Sequence, residues 1–292
     1  MEDRISEVLD GAMDLHVHPA PSPFPRRIGI REAADQAAEA GFKAILVKSH
    51  HHSMLTDIQA VESCGPLPIK VYGGVALNNY VGGINPVAVE LAINRGARII
   101  WFPTISSGQH ICAHSDELKF PKASLTPGPA IRVIDDDGLL VPQAHEVLRQ
   151  IKENDLILST GHMATAEVTA VLTEAHNLGI TRLLVNHPNF VIEADEDLVM
   201  RWIELGAVVE HSLCMYDDRS TFHNWGIDEL VRLIHKLGPQ NTLFGSDLGQ
   251  VDNPLPVEGY ERIIGELLDR GLTKKKLRTI TVSNPERLAT VA

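Results

Sequence analysis

Short apolar runs alternate along the chain with longer segments in which apolar residues recur every three or four positions. The short runs are rich in Val, Ile and Leu, as is typical of strands that are buried on both faces of a parallel sheet. The longer segments have the period of amphipathic helices. The pattern predicts eight strands, at 13–19, 44–49, 70–77, 98–104, 156–159, 182–185, 207–209 and 242–244. Because a helix follows each strand, we predict an α/β fold of the (β/α)8 TIM-barrel class.

The regular alternation breaks after the fourth predicted strand. The segment 105–141 is too long for an ordinary loop between a strand and a helix, and it includes a predicted hairpin that turns at Asp137-Gly138. We interpret the segment as a long insertion that forms a lid or a pocket wall, and a loop without function is the alternative. No linker divides the chain, so we expect a single domain over residues 1–292.

Composition narrows the class of protein. The 292 residues are 44% hydrophobic, which is enough for one large core. The formal net charge of −12 argues against nucleic acid or an anionic membrane as a partner. The sequence has no recognisable signal peptide and no apolar stretch of about 20 residues that would span a membrane. Three scattered cysteines indicate free thiols, so we expect a cytoplasmic protein.

Histidines are frequent, and several directly follow predicted strands. The chain has 14 of them. In the first strand Asp14, His16 and His18 share one face, because side chains alternate with a period of two. Three further candidates at strand ends are His162, His187 and Asp247. The carboxyl ends of barrel strands meet at one mouth, so we expect the four imidazoles and the Asp247 carboxylate to bind a divalent metal ion.

The same residues resemble the amidohydrolase superfamily of metal-dependent hydrolases. The resemblance rests on Asp14, His16 and His18, on Gly161-His162, on Asn186-His187-Pro188, on 244–247 and on the closing segment 282–288. It implies that His16, His18 and Asp247 bind one metal ion, and that Asp247 is the catalytic base and later acid. It also implies that His162 and His187 bind a second ion, or help to hold the first ion or contact substrate.

The sequence leaves the number of metal ions open. Two-metal members of the superfamily often carry a bridging carboxylated Lys or a Glu at the end of strand four, whereas that strand here ends at Thr104 without either. Lys48, late in the second strand, is one substitute bridge; alternatively it contacts substrate or pairs with a carboxylate. One or two ions are therefore compatible with the sequence, with Zn as the first choice and Mn or Fe as alternatives.

A histidine run after the second strand supports a competing interpretation. His50 and His52 share a face with Lys48 and are candidates for metal or substrate contact. A histidine at this place resembles the PHP phosphoesterases, which also begin with Asp-x-His-x-His. The segment Lys48-Ser49-His50 lacks their usual Thr-Asp-His, however, so PHP-like phosphoester hydrolysis is the alternative and not the first interpretation.

Further candidates have supporting or substrate-contacting roles, and they are Asp14, Asn79, Lys119, Glu210 and His211. A buried Asp14 needs a hydrogen-bond partner. Glu210 and His211, at the end of the seventh strand, are placed to hold a ligand imidazole or to form the pocket floor, and an ordinary polar strand end is the alternative. Lys119, in the insertion, hints at an anionic group on the substrate.

These observations predict a metal-dependent hydrolase that activates water to cleave an amide, cyclic amide, lactone or ester bond of a small molecule. Metal-dependent decarboxylation on the same scaffold is an alternative. A non-catalytic barrel that binds a metal or a small ligand is another. Apolar outer positions on the helices are compatible with a homo-oligomer, although no single stretch indicates one.

Overall fold

The computed structural model describes residues 2–114 and 128–290. Strands and helices follow one another in the order that the hydrophobic pattern predicts. The strands are β1 (Met13–Val17), β2 (Ala44–Val47), β3 (Lys70–Tyr72), β4 (Gly74–Ala76), β5 (Ile99–Trp101), β6 (Ile157–Ser159), β7 (Leu183–Asn186), β8 (Ala207–Ser212) and β9 (Thr242–Gly245). The helices are α1 (Glu2–Leu9), α2 (Ile30–Glu39), α3 (Leu55–Ser63), α4 (Pro86–Asn94), α5 (Gly108–Ala113), α6 (Pro142–Glu153), α7 (Thr165–Asn177), α8 (Glu196–Glu204), α9 (Ile227–Leu237), α10 (Pro256–Asp269), α11 (Lys274–Arg278) and α12 (Asn284–Ala289).

The helices form where the 3.6-residue period produces one apolar face. Helix α6 begins with Pro142 at its first turn, where the missing N–H of proline costs nothing. It buries Val147, Leu148 and Ile151 on one side. Full burial of each such side chain contributes about 1.5–3 kcal/mol. This face therefore fixes how the helix packs. The observed bounds of α6 are those predicted from the sequence.

The described residues form two compact units. The first unit contains the residues up to Lys48, Thr56–Tyr72 and Glu210–Thr290. In it β1, β2 and β3 pair in parallel in that order. The end of β9 also joins β1, because His18 N donates to the Leu248 carbonyl at 2.8 Å and Asp247 N donates to the His16 carbonyl at 2.8 Å. These two backbone bonds position Asp247 beside the histidines of β1.

The second unit contains Ser49–Leu55 and Gly73–Val209. Its strands pair in parallel in the order β4-β5-β6-β7. Polar residues follow directly after several of these strands, namely Asn78, Thr104, His162 and His187. Because the strands are parallel, their carboxyl ends lie at the same edge of this sheet. Whether the two units make up the single domain expected over residues 1–292 stays a prediction.

The predicted third strand, 70–77, is two strands separated by a break at Gly73. A Cβ added at Gly74 would lie 1.9 Å from the Ile99 carbonyl oxygen, so only glycine allows β4 to approach β5 this closely. The pattern also did not predict helices α1 and α5. Among the described residues, no helix has the length and apolar character needed to cross a membrane.

The insertion after the fourth predicted strand is described in part. It contains α5 and a hairpin in which Asp135 N donates to the Leu139 carbonyl at 2.8 Å. Gly138 has a φ of 80° at the turn, as the Asp-Gly pair predicts. Lys119 lies outside the described residues.

Candidate metal centre

Three potential ligand atoms meet in the first unit. The Nε2 atoms of His16 and His18 lie 3.3 Å and 3.0 Å from Oδ1 of Asp247, and all three atoms lie within 4.8 Å of one another. Both imidazoles are buried, whereas 15% of the Asp247 side chain is exposed. Asp247 is therefore the member of this group that water or a substrate can reach. We call His16, His18 and Asp247 the metal centre.

The other nitrogen of each imidazole is fixed by an acceptor. Nδ1 of His16 lies 2.6 Å from the buried Glu210 carboxylate, and Nδ1 of His18 lies 3.1 Å from the Lys48 carbonyl oxygen. A carbonyl only accepts, so Nδ1 of His18 carries the hydrogen, and a carboxylate imposes the same tautomer on His16. Both Nε2 lone pairs then face Asp247, as metal-binding histidines require.

Burial keeps His18 neutral. It lowers the pKa of His18 to about 3, although the negative charge of Asp247 acts in the opposite direction. Two imidazole lone pairs and a carboxylate oxygen thus converge on one point. Such a set of acceptors fits a divalent cation. The side chains present therefore fit the metal that the sequence motif implies.

Lys48 lies against the metal centre. Its side chain is 1% exposed, and Nζ lies 3.1 Å from Nε2 of His16. Burial lowers the pKa of Lys48 to about 8, and the negative charges of Asp247 and Glu210 only partly offset this. An amine held beside a ligand nitrogen has to lose its proton or move when a cation binds there, so Lys48 is placed to respond to metal or substrate.

Asp14 and Gly245 support the arrangement of the metal centre. Oδ1 of Asp14 accepts from the His16 N–H at 3.0 Å and from the Ser246 N–H at 2.9 Å, so it joins β1 to the residue before Asp247. Burial raises the pKa of Asp14 to about 7, and the Ser246 hydrogen bonds limit the rise. Gly245 is required here, because a Cβ would lie 2.7 Å from Cβ of His16 and 2.8 Å from Cδ of Glu210.

Three histidine rings of the second unit lie within 6 Å of the His162 ring, and we call His50, His110, His162 and His187 the four-histidine cluster. The ring centroid of His162 lies 4.9 Å from those of His110 and His187, and 5.9 Å from that of His50. The Nδ1 atoms of His110 and His162 lie 2.9 Å apart. The role of His162 and His187 as metal ligands stays a prediction of the sequence motif.

Side chains at the strand ends of the second unit hold this cluster. Ser107 Oγ donates to the His162 carbonyl at 2.6 Å and accepts from the His110 N–H at 3.1 Å. Thr104 Oγ1 lies 2.8 Å from Nδ1 of His50 and accepts from Asn78 Nδ2 at 2.6 Å. The sequence had placed His110 only inside the insertion. The one signal that could have found it is Ser107, a helix N-cap three residues earlier.

Three of the remaining candidates, His52, Asn79 and Glu210, have local hydrogen-bond partners. Nδ1 of His52 lies 3.1 Å from Ser49 Oγ, and Asn79 Nδ2 donates to the Pro129 carbonyl at 2.8 Å. Glu210 accepts from Ser212 Oγ at 2.9 Å in addition to its bond with His16. His211 is buried on β8, and burial lowers its pKa to about 4. Direct contacts of these residues with a ligand stay predictions.

Comparison with known proteins assigns the chain to a family. A family model described as "Family of unknown function (DUF6282)" matches residues 11–210. The chain belongs to this family. The matched span includes β1 with His16 and His18, and it ends at Glu210, before Asp247. No curated protein matches the chain in sequence.

Solved structures match over almost the whole chain. An amidohydrolase from Pseudomonas aeruginosa is 10% identical, with a TM-score of 0.62 and coverage of 97% of each chain. A phosphotriesterase homology protein from Escherichia coli, with phosphate in its active site, is 11% identical, with a TM-score of 0.57 and coverage of 96% of this chain and 100% of its own. A protein engineered for organophosphate hydrolysis from a weak, promiscuous lactonase is 13% identical, with a TM-score of 0.59 and coverage of 97% of each chain.

At such low identity, these matches establish the fold. It is the TIM-barrel fold of the amidohydrolase and phosphotriesterase-like proteins, so the (β/α)8 class predicted from the sequence is confirmed. The chain therefore shares its fold with the amidohydrolase superfamily, which its histidine and aspartate motifs resemble.

Proposed function

We propose that this protein is a metal-dependent hydrolase that uses a water molecule to cleave a carbonyl-type bond of a small molecule. The bond is an amide, cyclic amide, lactone or ester. One observation carries the proposal. The Nε2 atoms of His16 and His18 converge on Oδ1 of Asp247, while their Nδ1 atoms are fixed by Glu210 and the Lys48 carbonyl.

In this proposal, His16, His18 and Asp247 hold one divalent ion, with zinc as the first choice and manganese or iron as alternatives. When bound, such an ion would lower the pKa of a water molecule to about 7 and would polarise a carbonyl or phosphoryl oxygen. The chain itself supplies orientation and proton transfer. Glu210 orients His16, and the Lys48 carbonyl orients His18, so little reorganisation is needed when the ion enters.

Asp247 is the proton carrier in this scheme. It takes a proton from the attacking water and passes it to the leaving group, which then departs neutral. Its partial exposure supports this role, because a base has to reach both the water and the substrate. Its backbone supports the role too, since a φ of 53° is uncommon for a non-glycine residue and is held by the hydrogen bond to the His16 carbonyl.

Phosphoester hydrolysis is the second candidate function. The similarity to a phosphotriesterase homology protein with phosphate in its active site favours it. Decarboxylation uses the same scaffold but loses CO2 where hydrolysis gains water. A mass spectrum of the product therefore separates the two reactions directly. We also infer a cytoplasmic location from the three free cysteines.

The proposal is tested by removing and restoring the metal. Chelator-treated protein is reloaded with Zn²⁺, Mn²⁺ or Fe²⁺ and assayed on amides, cyclic amides, lactones, esters and phosphoesters. We expect metal-dependent turnover of a carbonyl substrate that is lost in His16→Ala and kept in His145→Asn. His145 is the matched control because its side chain is 52% exposed on α6. Turnover that survives complete chelation, or that persists in His16→Ala, would overturn the proposal.

A further inference from the structure

Arg26 lies in the first unit, and no described residue forms a hydrogen bond with a buried donor of its side chain. Among residues 2–114 and 128–290, none accepts a hydrogen bond from the shielded Nε of Arg26. Its neighbour Arg27 differs, because Nη1 of Arg27 donates to the Asn253 carbonyl at 2.8 Å and lies 3.5 Å from Glu258. A buried donor without an acceptor is costly, and an ordered water, an ion or a ligand is what satisfies such a donor.

The backbone holds Arg26 next to the segment that carries Asp247. Arg26 forms an isolated antiparallel bridge with Gln250, and Arg27 N donates to the Gly249 carbonyl at 2.8 Å. Burial lowers the pKa of Arg26 to about 10, and the charge of Asp247 acts in the opposite direction. The negative charge of Asp247 thus acts on the Arg26 guanidinium.

Gln250 presents a matching acceptor. Its Nε2 donates to the Asp247 carbonyl at 3.0 Å. A carbonyl cannot donate, so this bond identifies the amide nitrogen and leaves Oε1 as the acceptor. Oε1 is buried, and no described residue donates to it. Arg26 Nε and Gln250 Oε1 are therefore a donor and an acceptor that no described residue uses, in residues paired near the proposed catalytic Asp247.

The charge of this pair favours a carboxylate. A guanidinium forms two parallel hydrogen bonds with a carboxylate or a phosphate. One guanidinium balances the single negative charge of a carboxylate, whereas a phosphate monoester brings up to two. The net charge of −12 on the chain also opposes loosely bound anions, so selective binding of one requires a local cation.

We propose that Arg26 and Gln250 form a subsite for substrates that carry a carboxylate next to an N–H or O–H group. Arg26 binds the carboxylate, and Oε1 of Gln250 accepts from the neighbouring donor. The subsite adds a substrate class to the proposed function. Binding at the subsite does not depend on that function, and only the reaction that follows at Asp247 rests on it. The substrate class is then small carboxylic acids that also contain the scissile amide, lactone or ester.

The test uses chelator-treated protein, so that carboxylate recognition is measured apart from metal. The probes are N-acetylglycine, its neutral amide N-acetylglycinamide, and inorganic phosphate, titrated by calorimetry at low ionic strength. We expect wild-type protein to bind N-acetylglycine at least about tenfold more tightly than the amide, as one charged hydrogen-bonded pair provides. Arg26→Met should lose this preference, and Arg26→Lys should keep part of it. Arg27→Met, the matched control, should keep it in full.

Equal binding of the acid and the amide by wild-type protein would overturn the subsite, even if Arg26→Met failed to fold. So would an undiminished preference in folded Arg26→Met. Tighter binding of phosphate than of N-acetylglycine would replace the carboxylate with a phosphate as the ligand and so contradict the proposal. Failure of metal-dependent turnover would leave these metal-free results unchanged, so the two proposals fail separately.

Discussion

The two groups of histidines differ in what fixes each ring. In the metal centre each Nδ1 atom faces a group that only accepts hydrogen bonds. This group is the Glu210 carboxylate for His16 and the Lys48 carbonyl for His18. In the four-histidine cluster, His162 faces another imidazole, His110, through Nδ1. An imidazole donates or accepts according to its tautomer. In the metal centre the two tautomers are therefore fixed separately, with both Nε2 lone pairs facing Asp247, whereas in the cluster the tautomers of His110 and His162 are set jointly.

The largest expected effect comes from the carboxylate of the metal centre. Asp247→Ala should lower kcat/KM about a thousandfold, because it removes both a ligand and the proton carrier. Asp252→Asn is the matched control, since Asp252 is exposed in the same segment, and it should keep activity. Steady-state kinetics on the metal-loaded protein measures both. Equal activity of the two variants would remove Asp247 from the mechanism.

A smaller effect should follow when the His16 imidazole is kept and the group that orients it is changed. Glu210→Gln replaces a charged acceptor of His16 Nδ1 with a neutral one, and we expect about 10- to 100-fold weaker metal binding. Competition with a chelating dye measures this affinity. Glu174→Gln, on the surface beside His145, should leave it unchanged. An unaltered affinity in Glu210→Gln would mean that the tautomer of His16 is fixed in some other way.

Substitutions in the four-histidine cluster should mainly change the free energy of unfolding. His110→Leu removes one partner of a buried hydrogen bond, and we expect the free energy of unfolding to fall by about 1–3 kcal/mol. His110→Asn places a polar group near the position of Nδ1 and should cost less. Urea denaturation of the two variants makes the comparison. A larger loss in His110→Asn than in His110→Leu would show that the contact between His110 and His162 is not stabilising.

A further expected effect concerns the pH dependence of stability. Burial raises the pKa of Asp14 in the folded protein to about 7 from the ordinary value of 3.8. The folded state then holds this proton more tightly than the unfolded state, so Asp14 makes stability fall as pH rises from about 4 to about 7. Asp14→Asn keeps Oδ1 as an acceptor and should remove this part of the pH dependence. Metal-free unfolding curves that have the same pH slope in both proteins would contradict the raised pKa.

Periodicity and strand-end chemistry made much of this structure predictable. The observed bounds of α6 and α9 match those predicted from apolar spacing. His16, His18 and Asp247 were expected together, because β1 alternates with a period of two and parallel strands of a barrel end at one mouth.

Residues whose role depends on loop geometry could not be found from the sequence. Arg26 lies in a proline-rich loop without a period, and its bridge to Gln250 and its buried Nε distinguish it from Arg27 only in the structure. His110 lies in the insertion, and its contact with His162 joins positions 52 residues apart. The break at Gly73 was also missed, because a glycine pair inside an apolar run does not show where a neighbouring strand will approach.

The most direct measurement is the metal content of the metal centre. Chelator-treated wild-type protein and His16→Ala/His18→Ala are dialysed against equal zinc, and the bound metal is counted by mass spectrometry, with His145→Asn as the control. We predict that the double variant binds one ion per chain fewer than wild-type protein and the control. Equal zinc content in all three proteins would contradict a metal centre at His16, His18 and Asp247.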